Sequence, residues 1–112
     1  MGFTQARINA AVDAAVVTTT HAQLHTGDPG AAGTNNVASG VARVACVFPA
    51  ASAGSTEAVS SFTIPGAGGP FTHVSLWTAS ADGTYNGSGE CATQESFAGA
   101  GSLEVTITVS GD

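Results

Sequence analysis

Lysine is absent from this chain, and only Arg7 and Arg43 are basic against eight Asp and Glu residues, leaving a net charge of −6. Binding to DNA or RNA rests on neutralising several phosphates with Lys or Arg, so two arginines exclude nucleic acid as a direct ligand. Charge of either sign is scarce. Asp, Glu, Lys and Arg make up 9 % of the 112 residues, against about 25 % in an ordinary domain, and Ala, Gly, Ser and Thr fill the deficit. Such a surface suits burial against other proteins better than free existence at high concentration. No stretch approaches the roughly 20 apolar residues of a membrane span, so membrane insertion is not expected. The opening MGFTQARINAAVDAAV lacks the basic start, long apolar centre and cleavage site of a secretory signal and carries Asp13 within its apolar part, so no export leader is expected. Cys46 and Cys91 lack CxxC spacing, which argues against zinc. A small buried hydrophobe is the commoner role for each, with one disulfide between them as the alternative.

What is present divides into one helix and a series of strands. Ile8, Ala11, Val12, Ala15 and Val16 recur at helical spacing, with Gln5, Arg7, Asn9 and Asp13 mostly opposite. Thr4 is placed to cap this helix, and Phe3 and Ile8 stand at the spacing of a hydrophobic staple. The β-branched VVTTT then ends the helix near residues 16–18. Beyond it, HAQLHT, VARVACVF (41–48), EAVSSFTI (57–64), FTHVSLWT (71–78) and SLEVTITVS (102–110) read as strands. TYNGSGECATQESF reads as one irregular strand or two, broken at Asn86-Gly87, and Asp82-Gly83 is a tight-turn signal. Short strands punctuated by Gly and Pro predict a mainly β protein, an antiparallel, jelly-roll-like β-sandwich with one short N-terminal helix. A single domain over 1–112 is expected, with the helix in 1–18 and the sandwich in 20–110.

The stretch LHTGDPGAAGTNN (24–36) is the most distinctive in the chain. It lacks the lysine and following helix of a P-loop, and its glycines lack Rossmann spacing and context. Asp28 is its only acid, with Asn35 and Asn36 beside it, short of the roughly six to eight oxygen ligands calcium takes. What remains is a turn started by Asp28-Pro29-Gly30. His21 and His25, on a strand, are about 13 Å apart and cannot share one ion within a chain. A half-buried strand histidine is the default for both, and for His73. Glu90 and Glu95 are the nearest pair of acids, serine lacks a G-x-S-x-G elbow, and Cys91 lacks an evident histidine partner. No catalytic constellation and no need for a cofactor emerge. Trp77 and Tyr85 flank the Asp82-Gly83 turn and are the candidate platform for a surface or glycan contact, although an alternating strand places Trp77 in the core first.

Taken in order, LHTGDPGAAGTNNVASG, VARVACVFPAASAGS, FTIPGAGGPFTHVSLWTASADGTYNGSG and ESFAGAGSLEVTITVS resemble a family of small tail fibre or minor tail proteins of tailed bacteriophages, notably phages of actinobacteria. The family pattern is an LHTADPG loop, a YAR strand, a VTHVGLW strand, a Gly-rich turn and a closing strand; the resemblance covers about residues 21–110. Val41 stands where the family tyrosine would be, and Asn36-Val37 where an acid would follow. The resemblance implies a non-enzymatic virion structural protein, assembled in the host bacterial cytoplasm with other virion proteins and as a homo-oligomer, a trimer by first expectation. It implies that Asp28, Asn35 and Asn36, if they touch anything, meet a neighbouring subunit, and that the Ala-rich helix face docks on a virion neighbour. A capsid decoration protein and a module for host surface glycans are the alternatives.

Overall fold

The computed structural model describes residues 4–110, the side chain of Ala92 apart. Helix α1 spans Gln5–Val16; strands follow as β1 (His21–His25), β2 (Val44–Ala45), β3 (Ser55–Ile64), β4 (Gly68–Trp77), β5 (Tyr85–Phe97) and β6 (Gly101–Ser110). They form two antiparallel sheets, one in the order β2-β1-β4-β5 and one of β3 and β6, packed as a sandwich. The β3–β6 sheet follows from strict alternation. Thr56, Ala58, Ser60, Phe62 and Ile64 are buried while Glu57, Val59, Ser61 and Thr63 are exposed, and Leu103 and Val105 of β6 join the buried side. Across the core they meet Ala22, Leu24 and Val74 of the larger sheet.

Helix α1 closes one end. Thr4 Oγ1 accepts the Arg7 N–H at 3.3 Å as its cap; the expected Phe3–Ile8 staple lies outside the described residues. Val12 and Val16 are buried, and two residues of the polar face do the anchoring. Asn9 Oδ1 accepts the Gly54 N–H at 2.8 Å, and Asp13 Oδ1 accepts the Ala51 N–H at 2.7 Å. The Asp13 that interrupts the apolar pattern is therefore the acceptor that ties the helix to the loop before β3.

Two strands differ from their sequence expectation. VARVACVF yields only Val44–Ala45 as strand, because another segment occupies most of the β1 edge: Ala38 N–H donates to Leu24 O at 3.0 Å and His25 bridges Val37. Only His21 and Ala22 remain to pair with β2. In TYNGSGECATQESF the strand runs through Asn86-Gly87 without a break; Gly87 at φ 155° absorbs the irregularity, and the register slips between Leu76 and Trp77. The Asp82-Gly83 turn forms as expected, with φ of 54° and 75°.

Candidate functional site

The larger sheet carries a second buried layer on the side away from the sandwich core. In the β1–β4 register His21, Gln23 and His25 stand opposite Trp77, Ser75 and His73. Residues opposed in an antiparallel pair share a face. Since Ala22, Leu24 and Val74 face the core, His25, Ser75 and Trp77 point outward. They are nonetheless buried, His25 and Ser75 at 0 % exposure and Trp77 at 7 %. The cover is the loop over 26–36, the stretch the sequence singles out, together with Arg43.

The loop holds its own shape. Thr26 N–H donates to Asn36 O at 2.9 Å at its base. Asp28 Oδ1 accepts the Gly30 N–H at 2.8 Å, an Asx turn, and Asn36 Nδ2 donates to Asp28 O at 3.0 Å. Asn36 adopts φ 55° and Gly33 φ 74°, a left-handed conformation open to Asn and Gly. Pro29 is buried beneath the loop, and Gly33 lies flat against the Tyr85 ring, where a Cβ would collide. The candidate loop and the candidate aromatic pair are thus one structural unit. Gly33→Ala is expected to destabilise the protein by about 2 kcal/mol through backbone strain and displacement of Tyr85, read as a fall in the urea midpoint; a neutral result would mean that the loop is not seated on Tyr85.

Beneath the loop runs a chain of hydrogen bonds. His25 Nδ1 is 2.8 Å from Asn35 O, and His25 Nε2 is 2.6 Å from Ser75 Oγ. A carbonyl can only accept, so Nδ1 carries the proton and Nε2 accepts from the Ser75 hydroxyl. Ser75 Oγ in turn accepts the Trp77 indole N–H at 2.7 Å. The Arg43 guanidinium lies 3.9 Å from the centroid of the Trp77 ring, and its Nη1 donates to Ala79 O and Asp82 O at 3.0 and 2.8 Å. Trp77 and Tyr85 meet at 5.4 Å between centroids. Burial lowers the His25 pKa below 6.5, against the opposing effect of its backbone hydrogen bonds to Asn35 and Asn36.

A serine hydroxyl donating to a histidine has the outline of an activated nucleophile, and sequence reasoning missed the pair because its members are fifty positions apart. The surroundings argue for a structural role instead. Ser75 is sealed from solvent, its oxygen already takes the Trp77 N–H, and His25 is oriented by a carbonyl rather than a carboxylate. His25 is also more deeply buried than the half-buried expectation for it. His21 and His73 hydrogen-bond the adjacent Thr20 and Thr72 hydroxyls at 2.8 and 2.7 Å, and His73 Nε2 reaches Glu90 Oε1 at 4.0 Å. Among the described residues no three His, Cys, Asp or Glu are grouped to hold a metal, and no helix is long and apolar enough to cross a membrane. Cys46 and Cys91 are free thiols whose pKa values burial pushes up. Of the candidate contact residues, Asp28, Asn35 and Asn36 are exposed, Tyr85 is half-buried, and Trp77 is covered by Arg43.

The family model for the podophage GP4 fiber I protein gp80 matches residues 5–109, which includes the helix, both sheets and the covering loop. No curated protein and no solved structure matches the chain. The match agrees with the phage-fibre resemblance of the loop and strand motifs, and it favours the fibre over the capsid-decoration alternative. It makes the protein a non-enzymatic structural component of the virion that assembles with other virion proteins. The chain belongs to the phage fiber protein family of podophage GP4 fiber I protein gp80.

Proposed function

We propose that the protein is an assembly unit of the tail fibre that acts as a homotrimer, put together in the host cytoplasm, with the tip of the 26–36 loop as its contact to the next subunit. The observation that carries this is a loop fixed by its own hydrogen bonds and by its seat on Tyr85, yet exposed at Asp28, Thr34, Asn35 and Asn36. A surface already ordered in the free subunit loses little conformational entropy on association, and closed cyclic symmetry is the common outcome for such contacts. The exposed Ala6, Ala10 and Ala14 of α1 form a separate, close-packing face for a neighbouring virion protein. A host-glycan contact at the loop end would fall to Tyr85, because Trp77 is buried.

Sedimentation equilibrium tests the proposal. The wild-type chain is expected at the trimer mass, and Thr34→Arg, at the exposed tip, at the monomer mass with an unchanged melting midpoint. A trimer that persists in Thr34→Arg removes the loop from the interface, and a monomeric wild type at micromolar concentration removes the trimer.

A further inference from the structure

Strands β5 and β6 succeed one another in the chain, yet they lie in different sheets and do not pair. Among the described residues each therefore has a long side with no strand beside it, β5 over Tyr85–Phe97 and β6 over 101–109. An edge of this length is a template for another strand. Between the two edges runs a slot of about 120 Å³ whose apolar walls are Val74, Leu76, Cys91, Val105, Ile107 and Val109. It adjoins a second hollow of about 270 Å³ beside Thr93 and Leu103.

The slot has a cause in the sequence. In the β4–β5 register Gly87 and Gly89 stand opposite Leu76 and Val74, on the core-facing side. A Cβ at either glycine meets nothing within 4 Å. Where a strand ordinarily fills the sandwich with side chains, β5 brings none at Gly87 and Gly89 and only Cys91 beyond them, and Ile107 and Val109 across the gap are left half-buried. The rim has one sign of charge: Glu90, Glu95 and Glu104 line the two hollows and are exposed.

We infer that the β5–β6 slot receives one extended segment of a different protein, with alternate apolar side chains filling the space over Gly87 and Gly89 and lysine or arginine side chains meeting the rim carboxylates. Strand alternation delivers those two sets to opposite sides of one segment, and backbone hydrogen bonds to the open edges supply sequence-independent affinity. The charge decides against a second copy. The chain has no lysine and neither arginine lies in a strand, so any strand of another copy would bring no lysine or arginine to three carboxylates. That the donor is a neighbouring component of the phage particle rests on the fibre family; the slot and its chemistry do not.

The probe is a short synthetic peptide alternating valine and lysine, with the valine–glutamate peptide as control. Each is titrated into the full chain and followed by fluorescence anisotropy and amide hydrogen exchange. The lysine peptide is expected to bind and to slow exchange in β5 and β6 selectively, and the glutamate peptide to do neither. Replacing Glu90, Glu95 and Glu104 together by Gln is expected to weaken binding by about tenfold or more. Gly89→Val, which fills the slot from within, is expected to abolish binding while holding or raising the melting midpoint. Equal binding of both peptides, binding without protection of β5 and β6, or unchanged affinity in a folded Gly89→Val variant would each overturn the inference. So would concentration-dependent protection of the same amides in the chain alone, which would assign the slot to a second copy; none of these results bears on the loop contact tested by Thr34→Arg.

Discussion

Trp77→Ala is expected to lower the free energy of unfolding by about 4 kcal/mol, measured by urea denaturation followed by circular dichroism because the variant has lost the only tryptophan. The effect is large because Trp77 organises the outer layer. Its ring supports the Arg43 guanidinium at 3.9 Å and packs on Tyr85 at 5.4 Å, and its N–H holds Ser75 at 2.7 Å. The cation–π contact alone is worth about 0.5–2 kcal/mol. Removing the indole leaves a cavity under Arg43, deprives Ser75 Oγ of a donor, and frees the clip that Arg43 places on the Ala79 and Asp82 carbonyls. Trp77→Phe separates these contributions. It keeps most of the apolar area and deletes the N–H, so it should cost about 1–2 kcal/mol, the scale of an unpaired buried polar group. If Trp77→Ala cost no more than Trp77→Phe, the ring would contribute nothing beyond its hydrogen bond and the outer layer would not be a second core.

The difference between what the sequence makes legible and what it hides follows from the range of the interactions. The alternation in 57–64 and 102–110 is local, and it leads directly to the β3–β6 sheet with the expected faces. The Asp82-Gly83 turn and the Thr4 cap are equally local, each requiring a particular residue type for its own backbone. The outer layer has no such signature. On β1 and β4, His25, Ser75 and Trp77 lie on the side away from the sandwich core, so the burial expected for Trp77 occurs in a different layer, which a loop folded back from 26–36 and Arg43 make interior. The same loop explains the shortened β2, since Val37 and Ala38 take the edge of β1 that the VARVACVF segment would have used. LHTGDPGAAGTNN is distinctive because it must turn back, seal a polar cluster and fit Gly33 beneath an aromatic ring, and these demands come from residues about fifty positions away. The Gly87 and Gly89 gap was hidden for a related reason: glycine in a strand signals a bulge or a close approach of another backbone, and only the register shows that these two face the core.

His25→Leu is expected to destabilise the protein by about 3 kcal/mol and to flatten its stability against pH. Leucine fits the volume, but it leaves the buried Ser75 hydroxyl without its acceptor, a loss that costs about 1–3 kcal/mol, and removes the bond that ties the Asn35 carbonyl and its loop to β1. The pH dependence has a definite sign. Burial keeps His25 neutral in the folded protein and lowers its pKa below 6.5, while the unfolded chain takes up the proton near that value. In the window below pH 6.5 the unfolded state therefore binds more protons, so stability rises with pH there. The His25 contribution is complete above pH 6.5 and is lost as the pH falls through its folded pKa, with a slope of up to about 1.4 kcal/mol per pH unit for a single proton. Protonation has a structural consequence as well. Imidazolium at Nε2 can no longer accept from Ser75, so the hydroxyl hydrogen must find another acceptor in a sealed space while Trp77 still donates to its oxygen. The positive charge also faces Arg43 and the neighbouring His73, both of which disfavour it. The measurement is the urea midpoint of the wild type and of His25→Leu between pH 7.5 and 5. The wild type should lose stability toward the acid end, and the variant, already weaker at neutral pH, should show the smaller slope. Parallel curves would mean that His25 does not titrate against folding, and that the polar seam under the loop accommodates the imidazolium after all.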